Sequence, residues 1–250
     1  MKDSKIAWTT HTFNPWWGCT KVSPACDHCY AEALSTRWHR GAWGKDTERW
    51  VPSEDYWKGP LRWNETTPGA RVFCLSQGDV FEEHDTLPPQ RERLWDLIRM
   101  TPRLRWLLLT KRPHGFRTML PPDLLRLPEV WPGVTVENAE YTWRLDTLAA
   151  VPSVGPRWVS YEPALGPVDF TPWLPRISWV IVGGESGSQA RPFEIAWARD
   201  TIRQCADGRA AVFVKQMGKC TVDAGQPVTI AMHAVETWPE DLQVREVPRP

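Results

Sequence analysis

At 250 residues with 42% apolar side chains, the chain is long enough to bury a full core, and this length suits one α/β barrel better than two small domains. Thirty basic residues balance thirty acidic ones, so net charge supplies no field that would draw DNA, RNA or an anionic membrane, and any nucleic-acid site has to be local. No run of about eighteen apolar residues occurs, and the opening MKDSKIAWTTHTF lacks the apolar stretch of a secretory signal, which predicts a cytoplasmic chain without a membrane partner.

In chain order, short β-branched and apolar runs predict strands at Ala7 to Thr10, Val72 to Ser76, Arg105 to Thr110, Val134 to Glu137, Arg157 to Ser160, Trp179 to Val182 and Ala211 to Lys215. Helical patterns cover Tyr30 to Arg40, Gln90 to Met100, Ala139 to Ala150 behind an Asn138 cap, and Glu194 to Ala206. Residues 41–70, rich in Trp, Gly and Pro, read as an irregular insertion. Alternation of strand and helix implies an α/β fold, a partial (β/α) barrel of about six or seven parallel strands. That barrel takes residues 1–220; residues 221–250 turn polar and read as a tail packed on it or partly loose. Seventeen Trp and twenty-four Pro exceed ordinary usage, and the tryptophans are read as core packing rather than a base-stacking platform.

Polar groups recur just after the strands: Gly78 and Asp79, Lys111 and Arg112, Glu137 and Asn138, Glu162, the Gly183-Gly184-Glu185 run, and Gln216. In parallel α/β folds the ligand site lies at the carboxyl ends of the strands, so this recurrence marks one mouth. Basic residues near it, Lys111, Arg112, Arg117 and Arg191, suggest a nucleic-acid base or nucleotide as substrate.

Three of the six cysteines fall within eleven residues, in FNPWWGCTKVSPACDHCYAEALSTRW, which favours metal over disulfides in a chain of this size. Cys19, Cys26 and Cys29 are separated by six and two residues just before a helix. Thiolates ligate both zinc and iron-sulfur clusters. A structural zinc site is closed by four protein ligands, and His28, His39 or Cys74 would supply the fourth; three ligands alone suit a [4Fe-4S] cluster with one iron open. Spacing leaves both readings standing, the second being a zinc-stabilised binding module without catalysis.

The cysteine loop after a first barrel strand resembles the radical S-adenosylmethionine (SAM) superfamily, from which it departs by six residues in the first gap and by His28 where an aromatic is usual. More specifically, the chain resembles a phage-associated family of radical-SAM-like proteins. The resemblance rests on FNPWWGCTKVSPACDHCYA, LSQGDVF, LLLTKRP, WPGVTVEN, WVSYEPALGP, WVIVGGESG with Ala190, Arg191 and Pro192, and VFVKQMG. It implies that Cys19, Cys26 and Cys29 hold a [4Fe-4S] cluster whose open iron takes SAM, and that a flavodoxin- or ferredoxin-like reductant drives SAM cleavage. By the same resemblance Ser76, Gln77, Gly78 and Asp79 replace the usual amino-group site, with Asp79 on the ammonium. Thr110 and Lys111 fall where a carboxylate or phosphate contact is expected, and Thr135, Glu137 and Asn138 where the ribose is expected. Ser160 and Glu162 extend the ring, joined by Gly184 and Glu185, while Cys220 is placed to donate hydrogen to a substrate radical. Cys74 and Cys205 read as packing residues. Nothing in the sequence fixes the oligomeric state.

Overall fold

The computed structural model describes residues 2–38 and 43–248. Seven strands form one sheet: β1 (His11–Phe13), β2 (Arg71–Cys74), β3 (Arg105–Thr110), β4 (Val130–Thr135), β5 (Trp158–Tyr161), β6 (Trp179–Gly183) and β8 (Ala211–Gln216), in that spatial order. The pairs β1 with β2, β2 with β3, β5 with β6 and β6 with β8 run parallel. Parallel neighbours need long connections, and most of these carry helices: α1 (Tyr30–Arg37), α2 (Glu54–Trp57), α3 (Gly59–Thr66), α4 (Pro88–Met100), α5 (Gly115–Thr118), α6 (Trp143–Ala149) and α7 (Ile195–Gly208). The fold is therefore α/β as expected. A strand order that does not return from β8 to β1 leaves the sheet open, as a partial barrel requires.

The residues fall into two compact units, the first built from Met1–Val22, Tyr30–Gly133 and Val151–Gly155, the second from Ser23–Cys29, Val134–Ala150 and Pro156–Pro250. In the first unit the apolar residues of β1 to β3 alternate onto an aromatic core. Phe13 stacks on Tyr56 at 5.2 Å and meets Trp57 and Trp106 edge-on at 5.3 and 5.9 Å. The amphipathic pattern of α4 buries Leu94, Trp95, Leu97 and Ile98, and Pro88 at its start lacks only a donor that the first turn would leave unused. Arg91 of α4 is buried too, and its guanidinium donates to the carbonyls of Val80 (3.0 Å) and Glu82 (2.6 Å), fixing the chain that follows β2.

In the second unit Trp158, Trp179 and Phe213 of β5, β6 and β8 form a buried row. A small sheet in the order β10-β9-β7, from β7 (Phe193–Glu194), β9 (Thr221–Asp223) and β10 (Gln226–Pro227), joins the start of α7 to the residues after β8. Most tryptophans serve the core, as expected: Trp8, Trp16, Trp95, Trp106, Trp131, Trp158 and Trp179 are among the largest fully buried side chains, whereas Trp38 and Trp143 are exposed.

Several predicted boundaries move. The first strand forms not at Ala7 to Thr10 but at His11–Phe13, where all three residues are buried and pair in parallel with Val72, Phe73 and Cys74 of β2. The fourth begins at Val130, four residues early, with Pro132 and Gly133 inside it. Residues 41–70, expected to be irregular, carry α2 and α3 among the described ones. The helix from Ala139 is split: a 3-10 turn, Ala139–Tyr141, capped by Asn138 through its bond from the Glu140 amide, precedes α6. The predicted helix end at Arg40, like the candidate ligand His39, lies outside the described residues; α1 ends at Arg37. No helix among the described residues is long and apolar enough to cross a membrane.

Candidate metal centre and cofactor site

In the first unit the loop after β1 carries Cys19, and it is tied to the segment that follows β2. Leu75 ends β2 in the left-handed region (φ 65°), costly for a branched side chain, and turns the chain toward the loop. Asn14 accepts from the Gln77 amide at 2.9 Å and donates to Ser76 Oγ at 3.2 Å, while the Gly18 amide donates to the Gln77 carbonyl at 2.9 Å. A Cβ on Gly78 would lie 3.0 Å from the Gly18 carbonyl, a tight contact that glycine relieves. Ser76, Gln77 and Gly78 are thus brought to the cysteine loop, and the buried Gln77 Oε1 and Trp16 Nε1 have no hydrogen-bond partner.

Asp79 is held by four donors. Its Oδ1 accepts from Thr110 Oγ1 (2.6 Å) and the Phe81 amide (3.0 Å), and its Oδ2 from the Lys111 amide (2.9 Å) and Arg112 Nη1 (3.1 Å). Four donors leave the carboxylate as a brace between the ends of β2 and β3, and Thr110 is spent in the same brace, also accepting from the Arg112 amide. Arg112 reaches on to Cys19 Sγ at 3.7 Å and to the Thr20 carbonyl at 2.8 Å. Burial, reinforced by Asp79 and Glu82, pushes the Cys19 thiol up to about 12 against the opposing pull of Arg112. The buried pair Arg49–Glu82 completes this wall: Arg49 donates to both Glu82 oxygens (2.9 and 3.0 Å), to Thr20 Oγ1 and to the carbonyls of Gly44 and Thr47.

In the second unit Cys26 and Cys29 belong to the turn Ser23–Cys29, whose 3-10 turn Pro24–Cys26 closes with amide bonds from Cys26 to Ser23 and from Asp27 to Pro24. Glu185, after β6, accepts from the Arg191 amide (2.8 Å), from Arg191 Nε (3.2 Å) and Nη2 (2.5 Å), and faces His28 Nδ1 at 3.3 Å. Burial would raise its carboxyl, but the Arg191 bonds outweigh it and hold Glu185 below the usual range. Glu137 is fully buried and pairs through Oε2 with Arg144 at 2.8 Å, leaving Oε1 without a partner. Glu162 takes Lys215 on Oε1 (2.8 Å) and Ser160 Oγ on Oε2 (3.4 Å). Thr135 gives its carbonyl to Arg144 at 2.9 Å. Cys220, half-exposed beyond β8, fixes Phe193 through its carbonyl.

Gly184 has a packing reason for being glycine: its Cβ would lie 2.8 Å from Phe193 Cβ and 2.9 Å from Gly218 Cα. Gly184→Ala is expected to cost about 1–3 kcal/mol in a urea titration, the usual penalty of overpacking, and an unchanged midpoint would show that this contact relaxes freely.

Among the described residues, no group of three or more His, Cys, Asp or Glu side chains gathers into a ready-made metal centre. Thiolates are suitable donors for an iron-sulfur cluster, and with a fourth ligand for zinc. Of the two described candidates for that fourth ligand, His28 turns Nδ1 to Glu185, a contact that metal-bound histidines commonly make through the nitrogen not on the metal, while Cys74 is buried on β2. Asp79, Glu82 and Glu185 are each held by arginine. Sequence reasoning missed Arg49, Glu82, Arg144 and Lys215, which hold these groups; only Arg144, seven residues after Glu137 on a helical pattern, left a readable signal. Two of the four basic residues taken as a nucleic-acid signal, Arg112 and Arg191, are neutralised internally.

Fold and site together define an α/β protein with an open, largely parallel sheet and a three-cysteine loop after its first strand. The chain belongs to the family described as "Protein of unknown function (DUF5131)", whose profile matches residues 3–241. No curated protein matches it. Among solved structures it is similar to a mutant of spore photoproduct lyase, at 14% identity and a TM-score of 0.47, over 72% of this chain and 57% of that one; the chain thus spans little more than half of that protein's length.

Proposed function

We propose that the chain is a radical SAM enzyme in which Cys19, Cys26 and Cys29 hold a [4Fe-4S] cluster. Such a cluster supplies one-electron reductive cleavage of SAM and so starts hydrogen abstraction from a substrate carbon. The observation that carries the reading is the donor set. Cys19, Cys26 and Cys29 fall within eleven residues of sequence, and no fourth cysteine lies in that stretch. A site with three protein ligands leaves a position for a small molecule, whereas structural zinc asks for four.

The remaining residues then bind and orient. Arg112 sets a positive charge beside Cys19, which favours a thiolate once metal displaces its proton. Gln77 Oε1 and Glu137 Oε1, buried acceptors without partners, are suited to the donors of a nucleoside or amino acid, and binding there would relieve their desolvation cost. Asp79 and Thr110 position the ends of β2 and β3, and Glu162 with Lys215 and Ser160 lines the ends of β5 and β8. The electron comes from a flavodoxin- or ferredoxin-like donor. A nucleotide substrate draws less support than the basic residues first suggested, since two of them already serve carboxylates of the chain.

Anaerobic reconstitution with iron and sulfide, followed by dithionite and SAM, is the test. A brown protein releasing 5′-deoxyadenosine, with colour lost in Cys26→Ala, is the expected result. A colourless chain carrying stoichiometric zinc would establish the binding module instead.

A further inference from the structure

We infer that Arg191 and Glu185 are positioning residues that clamp the Cys26–Cys29 turn in the form that receives metal. The inference rests on the cluster reading for its purpose, though the clamp itself is a matter of contacts. Arg191 Nη2 donates to the Pro24 carbonyl at 2.8 Å, and its Nη1 lies 3.6 Å from Asp27 Oδ2. The Pro24 carbonyl also accepts the Asp27 amide at 3.1 Å, so one oxygen joins the turn's own closure to the guanidinium. Glu185 holds Arg191 by three bonds and faces His28, the residue immediately before Cys29. The turn is therefore gripped at Pro24, Asp27 and His28, on both sides of Cys26 and next to Cys29, by two residues that follow β6.

The grip matters because the turn has little else to fix it. It is seven residues long, its only regular element is the three-residue turn Pro24–Cys26, and Ser23 at its start makes no side-chain cap bond, only a long contact from Oγ to Cys26 Sγ at 4.0 Å. Two thiolates in a short unsupported turn lose conformational entropy when metal fixes them, and a planar guanidinium anchored by a carboxylate meets that cost beforehand. Lysine cannot reproduce the arrangement, since one ammonium lacks the fork that reaches Glu185 and Pro24 together.

Hydrogen exchange of the metal-free chain reads the clamp directly. In Arg191→Ala the amides of Cys26 and Asp27 are expected to exchange at least about tenfold faster, with Arg191→Lys and Glu185→Gln in between, while the amides of Val72–Cys74 keep wild-type rates. Unchanged rates at Cys26 and Asp27 in all three variants would overturn the clamp. After anaerobic reconstitution, the iron content of Arg191→Ala should fall several-fold below wild type, with partial recovery in Arg191→Lys. Wild-type iron content in Arg191→Ala despite faster exchange would overturn the positioning role. If the wild-type chain itself takes up no iron, the radical SAM reading fails, and the exchange rates alone decide whether the clamp exists.

Discussion

Replacing Arg49 with methionine is expected to lower stability by about 3–5 kcal/mol, because it leaves the buried Glu82 carboxylate without its hydrogen-bonded partner, with only Arg112 at 3.9 Å as counter-charge. Both side chains are essentially inaccessible, at 0% and 1%. Arg49 makes two bonds to Glu82 and three more to Thr20, Gly44 and Thr47, and Gly44 in turn donates its amide to the Cys19 carbonyl. One guanidinium therefore fixes the loop that carries Cys19 to the chain following β2. Two consequences separate this from a generic core mutation. Arg49→Met/Glu82→Leu should recover most of the loss, since removing both charges removes the desolvation cost along with the attraction. Cys19 should also be alkylated faster in Arg49→Met than in a core variant of equal stability, because its loop is released. A urea midpoint within about 0.5 kcal/mol of wild type for the single variant would mean that Glu82 finds another partner and that the pair does not hold the loop.

That pair illustrates how far the sequence could be read. The strand and helix alternation carried the α/β class, because buried parallel strands show as unbroken apolar runs such as WVIV in β6 and WLLL in β3. Proline does not end structure everywhere: Pro60 stands at the start of α3, where a missing amide costs nothing, within the stretch expected to be irregular, and Pro132 stands inside β4, ahead of the strand expected from Val134. The cysteine loop was visible because metal ligands are few in kind and their spacing is local. Its supports were not, since Arg49 and Glu82 are 33 residues apart and Glu185 meets His28 across 157. Such pairs come together only through the fold, and one sequence holds no record of them. Asp79 shows the converse: its position after β2 was legible, but its four donors, which make it a brace, come from three other residues and one neighbour on its own turn.

The second large effect belongs to the pair Glu137–Arg144, where the two partners are not equivalent. Arg144 has alternatives: its Nη1 also donates to the Thr135 carbonyl, and its guanidinium lies 4.5 Å from the ring of Tyr141 and 5.6 Å from that of Trp143. Glu137 has Arg144 on one oxygen and nothing on the other. Arg144→Met should thus cost about 3–5 kcal/mol, while Glu137→Gln, which keeps an acceptor for Arg144, should cost about 1–3 kcal/mol. If the open Oε1 is where a ligand donor docks, SAM should raise the stability of the reconstituted wild-type protein by about 2.7 kcal/mol at a hundred times its Kd. In Glu137→Gln at the same concentration the gain should be smaller, because the weaker acceptor raises Kd by about tenfold. Equal stabilisation of the two proteins by SAM would assign Glu137 to the support of α6 alone. Equal losses in the two variants without SAM would show instead that the buried carboxylate and guanidinium depend on each other alike.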